Sequence, residues 1–310
     1  MNIRNFQPGD EAVQVSIYDE AAGQLAKFKP ATVQEVQRRT RARDFDPASR
    51  FYALEDGKVV AYANYNANGR VSYPWAAKGF EHVSKPLFAH MLQAMKSKGR
   101  RKIFAAYRGD WQNVLDFFKQ QGFQHARDMV NFVIDFLDMP TPSAVPAGGI
   151  MPLKPEDVPA AYALMPEALR STSAEELRKH LFENPYFAAD ALFQQRSRNG
   201  ETVAVGILIS ESTYADPKAI DASMPCYRLG AFGTEGMQTK RAKGLFSFLA
   251  RKDENVAALG LDLMGHAAYR VRDHDDIECL AAQVPSDAPT LLGFYQRYFK
   301  KQGSFPVYEL

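Results

Sequence analysis

The sequence predicts an α+β protein built as α/β/α layers, with two similar domains. Each domain has a mixed, mostly antiparallel sheet with a parallel central strand pair, flanked by helices. Three observations predict this class. The chain of 310 residues is about twice the usual domain length. Apolar residues make up 46% and charged residues 24%, which is typical of a chain with buried cores. The same order of predicted elements occurs twice, so one fold is used twice.

A segment rich in proline and glycine separates the two copies. Residues 138–149 read DMPTPSAVPAGG and have neither a helical nor a strand period. We therefore predict a domain at 1–137, a linker at 138–149 and a second domain at 150–310. The two domains open alike, because residues 3–10 and 150–157 share the pattern I-x-x-(F/L)-(Q/K)-P-x-D.

After an opening strand and two helices, each half continues in the order strand, strand, strand, helix, strand, helix, strand. Asp56-Gly57 and Asn199-Gly200 are typical hairpin turns between the first two of these strands. The predicted elements are 51–54, 59–65, 70–75, 86–97, 102–107, 111–121 and 129–136 in the first half, and 191–195, 202–210, 226–232, 244–269, 278–284, 288–302 and 305–310 in the second. Residues 117–123 (FFKQQGF) recur as 298–304 (YFKKQGS).

Composition excludes several classes of function. The formal net charge of +2 provides no dominant basic field, so nucleic acid is not expected as the main partner. Two cysteines are too few for a disulfide framework. The amino terminus lacks the apolar stretch of a signal peptide, and no apolar run approaches the roughly 20 residues that span a bilayer. We expect a cytoplasmic protein without membrane contact.

The element order and the ending F-F-x-x-x-G-F at 117–123 resemble the GNAT superfamily of N-acetyltransferases, whose last helix typically ends F-Y-x-x-x-G-F. The resemblance implies acetyl transfer from acetyl-CoA, as co-substrate, to an amine of a small molecule or peptide. The six histidines show neither an H-E-x-x-H helix nor paired cysteine ligands, so no metal is expected. The acceptor is not predicted by the sequence, because a fold alone does not set the substrate.

Family members bind acetyl-CoA through a loop of pattern (Q/R)-x-x-G-x-(G/A) between the central strand and the central helix. Residues 241–246 (RAKGLF) resemble this loop in the arginine and the glycine, but not at the last position. The glycine at position 244 would let backbone N–H groups approach a pyrophosphate. The resemblance therefore implies cofactor binding by Lys240, Arg241, Ala242, Lys243, Gly244, Leu245 and Phe246. A solvated basic turn is the alternative. The matching segment of the first half, 76–80, lacks the arginine, which predicts a degenerate first domain.

The resemblance also implies a tyrosine that protonates the departing CoA thiolate, for which a phenol has a suitable pKa. The first half has Phe118 at this position. In the second half Tyr295 is the candidate, by its spacing from the preceding strand, and Tyr298 is its rival. The alternative is that both tyrosines belong to the apolar face of an ordinary helix. Glu235 and Glu278 are the nearest candidates for a general base.

The sequence thus predicts an acyl-CoA-dependent N-acyltransferase whose second half binds acetyl-CoA. The competing hypothesis is a non-catalytic protein of the same fold that binds a ligand or acts as a scaffold. A third possibility is that the first half, with the better-preserved F-F-x-x-x-G-F, holds the cofactor.

Overall fold

The computed structural model describes residues 1–41, 45–140, 149–169, 171, 173–183, 188, 190–210, 244–273 and 277–310. These residues form two compact units. The first contains Met1–Arg127 and Phe305–Leu310, and the second contains the described residues between Asp128 and Ser304. Most of the predicted linker at 138–149 is outside the described residues, so the division at 137 and 150 stays a prediction.

The first unit has an antiparallel sheet with helices packed on it. Its strands are β1 (Asn2–Asn5), β2 (Arg50–Glu55), β3 (Lys58–Asn64), β4 (Trp75–Ala76) and β5 (Phe104–Ala106), and its helices are α1 (Asp10–Ala22), α2 (Val33–Thr40), α3 (Ser84–Ser97) and α4 (Gln112–Gln120). Strands β1 to β4 pair in chain order. Asp56 and Gly57 have φ angles of 48° and 77°. Both therefore adopt the left-handed backbone of the predicted two-residue hairpin turn between β2 and β3.

The second unit follows the same plan over a longer stretch of chain. Its strands are β6 (Gln124–Asp135, which begins in the first unit), β7 (Ile150–Pro152), β8 (Leu192–Arg196), β9 (Thr202–Ile209), β10 (Gly244–Ala250), β11 (Cys279–Pro285) and β12 (Lys300–Glu309, which ends in the first unit). Its helices are α5 (Val158–Leu164), α6 (Ala174–Phe182), α7 (Val256–Val271) and α8 (Pro289–Tyr298). Short 3₁₀ helices cover Pro47–Ser49, Glu81–Val83, Phe136–Asp138, Pro155–Asp157 and Pro166–Ala168.

One sheet of the second unit runs in the order β7, β8, β9, β10, β11, β6. Strands β10 and β11 are parallel and are connected through α7, and the other described pairs in this stretch are antiparallel. In the first unit, a parallel bridge joins Arg70 to Phe104 at the corresponding place. The predicted α+β class with a parallel central strand pair is confirmed.

Helices cover both faces of the second unit's sheet. Gln194 and Gln195 are neighbours in β8, so their side chains point to opposite faces. Gln194 donates a hydrogen bond to Asp157, which precedes α5, whereas Gln195 donates to Asp262 of α7 at 2.9 Å. The sheet therefore lies between α5 and α7. None of the helices that the structure describes is both long and apolar enough to cross a membrane.

The last strand of each half pairs differently from the expectation. Residues 129–136 were expected to close the first half and 305–310 the second. Instead, Met129–Asp135 pairs with β11, and Val307–Glu309 pairs with β5. We call this arrangement the strand exchange. Both segments are strands that follow a helix, so local sequence does not distinguish the two pairings.

The predicted repeat of 117–123 at 298–304 is not a structural repeat. Helix α4 ends before Gly122, whose φ of 87° is the left-handed conformation of a helix C-cap. Helix α8 instead ends at Tyr298, followed by extended backbone at Phe299, and Lys300–Ser304 already belongs to β12. The predicted helix at 288–302 is therefore about one turn too long.

Two glycines of α7 provide a stability test. A Cβ at Gly260 would lie 2.7 Å from ring atoms of both Phe248 and Phe294, whereas a Cβ at Gly265 would have no atom of the described residues within 4 Å. We expect Gly260→Ala to destabilise the protein by about 1–3 kcal/mol through overpacking. We expect Gly265→Ala to stabilise it by about 0.5–1 kcal/mol through helix propensity. Urea denaturation measures both, and shifts of the same sign would contradict the packing of α7 on these rings.

Candidate active site in the second unit

The described part of the predicted cofactor loop lies within a strand. Gly244, Leu245 and Phe246 are buried and form the first residues of β10, while Lys240, Arg241, Ala242 and Lys243 lie outside the described residues. The helix predicted from 244 is therefore wrong over its first part, and the predicted central strand at 226–232 also lies outside the described residues. A short apolar run such as GLFSFLA fits a buried strand as well as a buried helix.

The structure gives Gly244 a role in strand packing. A Cβ at this position would lie 2.5 Å from the Leu280 side chain and 2.7 Å from the Ile209 carbonyl oxygen. Glycine thus allows β9, β10 and β11 to approach one another closely at this point. Cofactor binding by residues 240–246 stays a prediction.

The connection between the central strand and the central helix is residues 251–255. Arg251 forms ion pairs with Glu201, Asp253 and Glu254 at 2.9, 3.0 and 2.7 Å, and hydrogen bonds to Glu201 and Glu254 raise its pKa. The Asn255 side chain accepts the Ala258 N–H at 3.1 Å and caps α7. Ion pairs and a cap, not glycines, therefore hold this loop in place.

A pocket of about 370 Å³ lies at the N-terminus of α7 and extends to α8. Its lining includes two cations, Lys252 and Arg297, and one carboxylate, Glu254. The complete lining is Lys252, Glu254, Asn255, Val256, Ala257, Thr290, Gly293, Phe294, Arg297 and Tyr298. Positive side chains at a helix N-terminus form an environment suited to phosphate groups. Sequence reasoning missed this pocket because its loop lacks glycine.

The two parallel strands separate immediately beyond their first residues. They pair at Gly244–Leu280 and Leu245–Ala281. Strand β10 continues along β9 as far as Ala250, and β11 continues along β6 as far as Pro285. Within these described strands no further pair joins β10 to β11. We call this separation the strand opening; it leaves backbone N–H and C=O groups of both strands available to a ligand.

Tyr295 lies at the place in α8 that Phe118 occupies in α4. Each residue lies the same number of positions after the N-cap of its helix. The two N-cap residues, Trp111 (φ −93°, ψ 61°) and Ala288 (φ −109°, ψ 72°), have similar backbone angles. Tyr295 is 1% exposed, and its ring lies 5.8 Å from that of Phe132 in β6 and 5.9 Å from that of Phe248 in β10. This places it on one face of the sheet, against β6 and β10, the two strands on either side of β11.

Tyr298 has a different environment. It is partly exposed, lines the pocket at the N-terminus of α7, and packs against Phe294 with the ring centroids 4.9 Å apart and the ring planes tilted by 50°. Of the two carboxylates considered as general bases, Glu278 is exposed and precedes the paired end of β11, on the side away from the strand opening. Glu235 lies outside the described residues.

The corresponding region of the first unit is filled by its own side chains. The Tyr107 hydroxyl accepts the backbone N–H of Tyr73 at 2.6 Å, and the Arg70 guanidinium donates to the Ala106 carbonyl oxygen at 2.8 Å. At the start of α3, the Glu81 carboxylate accepts the Gly79 N–H at 3.1 Å. Backbone hydrogen bonds from Glu81 itself and from Gly79 lower its pKa, so the anion at this helix start is the protein's own.

Comparison with solved structures identifies the fold. A GCN5-related glucosamine N-acetyltransferase region of a fungal multi-domain GH3 β-N-acetylglucosaminidase superposes with a TM-score of 0.66 and 16% identity; the comparison covers 100% of this chain and 38% of that one. A GCN5-related N-acetyltransferase from Sphaerobacter thermophilus superposes with a TM-score of 0.61 and 17% identity; the comparison covers 100% of this chain and 95% of that one. A tandem GNAT protein from the clavulanic acid biosynthesis pathway superposes with a TM-score of 0.56 and 12% identity; the comparison covers 100% of this chain and 98% of that one.

No protein-family model and no curated protein matches the sequence. At these low identities the structural similarity shows the fold. The chain has the GNAT fold and resembles a tandem GNAT protein over its full length, which confirms the resemblance inferred from the sequence. The part of the chain that the structure describes contains no cluster of three or more His, Cys, Asp or Glu side chains placed to hold a metal ion.

Proposed function

We propose that this protein is an acyl-CoA-dependent N-acyltransferase that transfers an acetyl group from acetyl-CoA to an amine, and that the second unit carries the reaction. The observation that carries the proposal is the strand opening between β10 and β11. It offers unpaired backbone groups between two strands, next to a cationic pocket and a buried tyrosine. The GNAT fold supports acyl transfer as the class of reaction.

The residues present fit such a thioester substrate. Lys252, Arg297 and the N-terminus of α7 are suited to the diphosphate. The backbone edges of the strand opening are suited to the amide-containing arm, which requires both donors and acceptors. Backbone N–H groups of β10 would stabilise negative charge on the thioester oxygen during attack by the neutral amine. Tyr295 would donate its proton to the departing thiolate as the C–S bond breaks, and the proton lost by the attacking nitrogen would pass through water and restore the tyrosine.

The first unit is less suited to this role. Tyr107 and Arg70 already use the backbone groups that a ligand between its strands would require. Phe118 provides no proton at the position of Tyr295. We therefore propose that one acetyl-CoA binds per chain, in the second unit. The first unit would then have a structural role.

The pocket cations provide the first test. We expect Lys252→Ala and Arg297→Ala each to raise the Kd of acetyl-CoA about tenfold, because each removes a charge that faces the phosphates. Lys179→Ala is the matched control, since Lys179 is an exposed lysine on α6. Isothermal titration calorimetry measures all three affinities. If all variants bound acetyl-CoA with equal affinity, the phosphates of acetyl-CoA would not bind in this pocket.

The main alternative is a non-catalytic protein of the same fold that binds a ligand or acts as a scaffold. One observation favours it: Glu254, in the loop before α7, brings negative charge to the pocket. A wild-type protein that binds acetyl-CoA in calorimetry but releases no CoA thiol with any amine would favour this alternative. A wild-type protein that does not bind acetyl-CoA would contradict the proposed transferase.

A further inference from the structure

Three neighbouring strands of the second unit each carry one amide or hydroxyl side chain within an apolar run. These residues are Ser247 in β10, Gln283 in β11 and Asn131 in the buried part of β6. Gln283 pairs directly with Asn131. Continuing the register from Leu245–Ala281 places Ser247 level with Gln283 across the strand opening. The three form one row, which we call the polar row.

The polar row lies on the face of the sheet opposite to Tyr295. Phe132, the neighbour of Asn131 in β6, stacks on Tyr295, and Phe248, the neighbour of Ser247 in β10, contacts Phe294 at 4.7 Å. Successive side chains of a strand point to opposite faces. Asn131 and Ser247 therefore point away from α8. A thioester held in the strand opening would have Tyr295 on one side and the polar row on the other.

Asn131 has an unused hydrogen-bond donor at the deep end of this row. Gln283 Nε2 donates to Asn131 Oδ1 at 2.8 Å. Asn131 is 3% exposed, and its Nδ2 atom is buried without a hydrogen-bond partner among the residues that the structure describes. Leaving a buried amide donor unpaired costs free energy, which a ligand oxygen would recover. Gln283 and Ser247 are partly exposed and lead from the surface to this atom.

We propose that the polar row binds the amine acceptor, and that Asn131 Nδ2 donates a hydrogen bond to a neutral oxygen on it. This inference rests on the proposed function and names its substrate class: primary amines that carry hydroxyl or carbonyl groups, such as amino alcohols and amino sugars. A neutral oxygen fits because the three side chains are themselves uncharged. The strand exchange supplies Asn131, so a residue from before residue 138 completes the acceptor site.

The test compares two ring amines with and without oxygen, glucosamine and cyclohexylamine. Thiol release from acetyl-CoA gives kcat/KM for each, in the wild type, Asn131→Asp and Ser247→Ala. Asn131→Asp keeps an oxygen for Gln283 Nε2 but removes the Nδ2 donor. Ser247→Ala changes a partly exposed position and provides a second variant if the first does not fold. We expect the wild type to prefer glucosamine at least tenfold and each variant to reduce that preference about tenfold. The acetyl-CoA Kd of both variants is expected to stay within about twofold of the wild type.

Equal kcat/KM for the two amines in the wild type, or an unchanged preference in both variants, would overturn the inference. Thermal unfolding with each amine alone separates this outcome from failure of the proposed function. We expect glucosamine to raise the wild-type Tm more than cyclohexylamine does, and this difference to disappear in the variants. If the protein showed this difference in Tm but did not bind acetyl-CoA, only the proposed transferase activity would be contradicted, and the acceptor site would stand. No difference between the amines in thermal unfolding would overturn the inference even if acetyl-CoA binds.

Discussion

Tyr295→Phe is expected to lower kcat for acetyl transfer by about a hundredfold, with little change in the Kd of acetyl-CoA. General acid catalysis by one side chain contributes typically 10²- to 10⁴-fold, and the substitution removes only the hydroxyl oxygen. The ring contacts with Phe132, Phe248 and Phe299 remain, so the aromatic core is retained. Steady-state kinetics with calorimetry of acetyl-CoA binding measures the two quantities separately.

Tyr298→Phe is the matched control for this prediction. Tyr298 belongs to the same helix but lines the pocket near the N-terminus of α7. We expect its substitution to leave kcat within about threefold of the wild type. A larger loss of kcat for Tyr298→Phe than for Tyr295→Phe would assign the role of general acid to Tyr298 instead of Tyr295. If Tyr295→Phe lost acetyl-CoA binding and kcat together, its role would be structural.

Deleting Phe305–Leu310 is expected to unfold the first unit, although these residues follow the whole second unit in sequence. Val307 and Tyr308 are 5% and 9% exposed, and Val307–Glu309 pairs with β5. The Leu310 N–H donates to the Ile103 carbonyl oxygen at 3.1 Å. Burying two such side chains contributes roughly 3–6 kcal/mol. This is a large part of the 5–15 kcal/mol that stabilises a typical domain.

The measurement is calorimetry of the chain ending at Ser304, in which we expect one of two unfolding transitions to disappear. A fragment of residues 1–127 is expected to be unfolded alone. The same fragment extended by a Gly/Ser linker and residues 305–310 is expected to fold, whereas a scrambled hexapeptide after the same linker would not restore it. Cooperative unfolding of residues 1–127 alone would show that the strand exchange is dispensable for the first unit.

The local parts of the fold were predictable from the sequence. Turns such as Asp56-Gly57 follow from backbone preferences of two residues, so the hairpins were found in both halves. The strand exchange was not predictable, because a strand's own pattern says which face is buried but not which edge it joins. The choice depends on long-range pairing, for which residues 129–136 and 305–310 have equivalent signals.

Spacing and motif led the sequence analysis to different parts of the candidate site, and both assignments stay predictions. Counting from the preceding strand led to Tyr295, which the structure places where Phe118 lies in the first unit. The glycine motif led instead to Gly244, because close strand packing also requires glycine. The loop at 251–255 carried one usable signal: Asn255 is a favoured N-cap residue, and the apolar period of α7 begins directly after it.

The strand exchange also determines when the sheet contacts of β5 can form during synthesis of the chain. A ribosome adds about 5–20 residues per second, so the intervening residues 128–304 take roughly 10–35 s to synthesise. During this interval β5 lacks the partner that Val307–Glu309 later provides. The sheet contacts of β5 are thus completed only after the residues of the second unit have been synthesised.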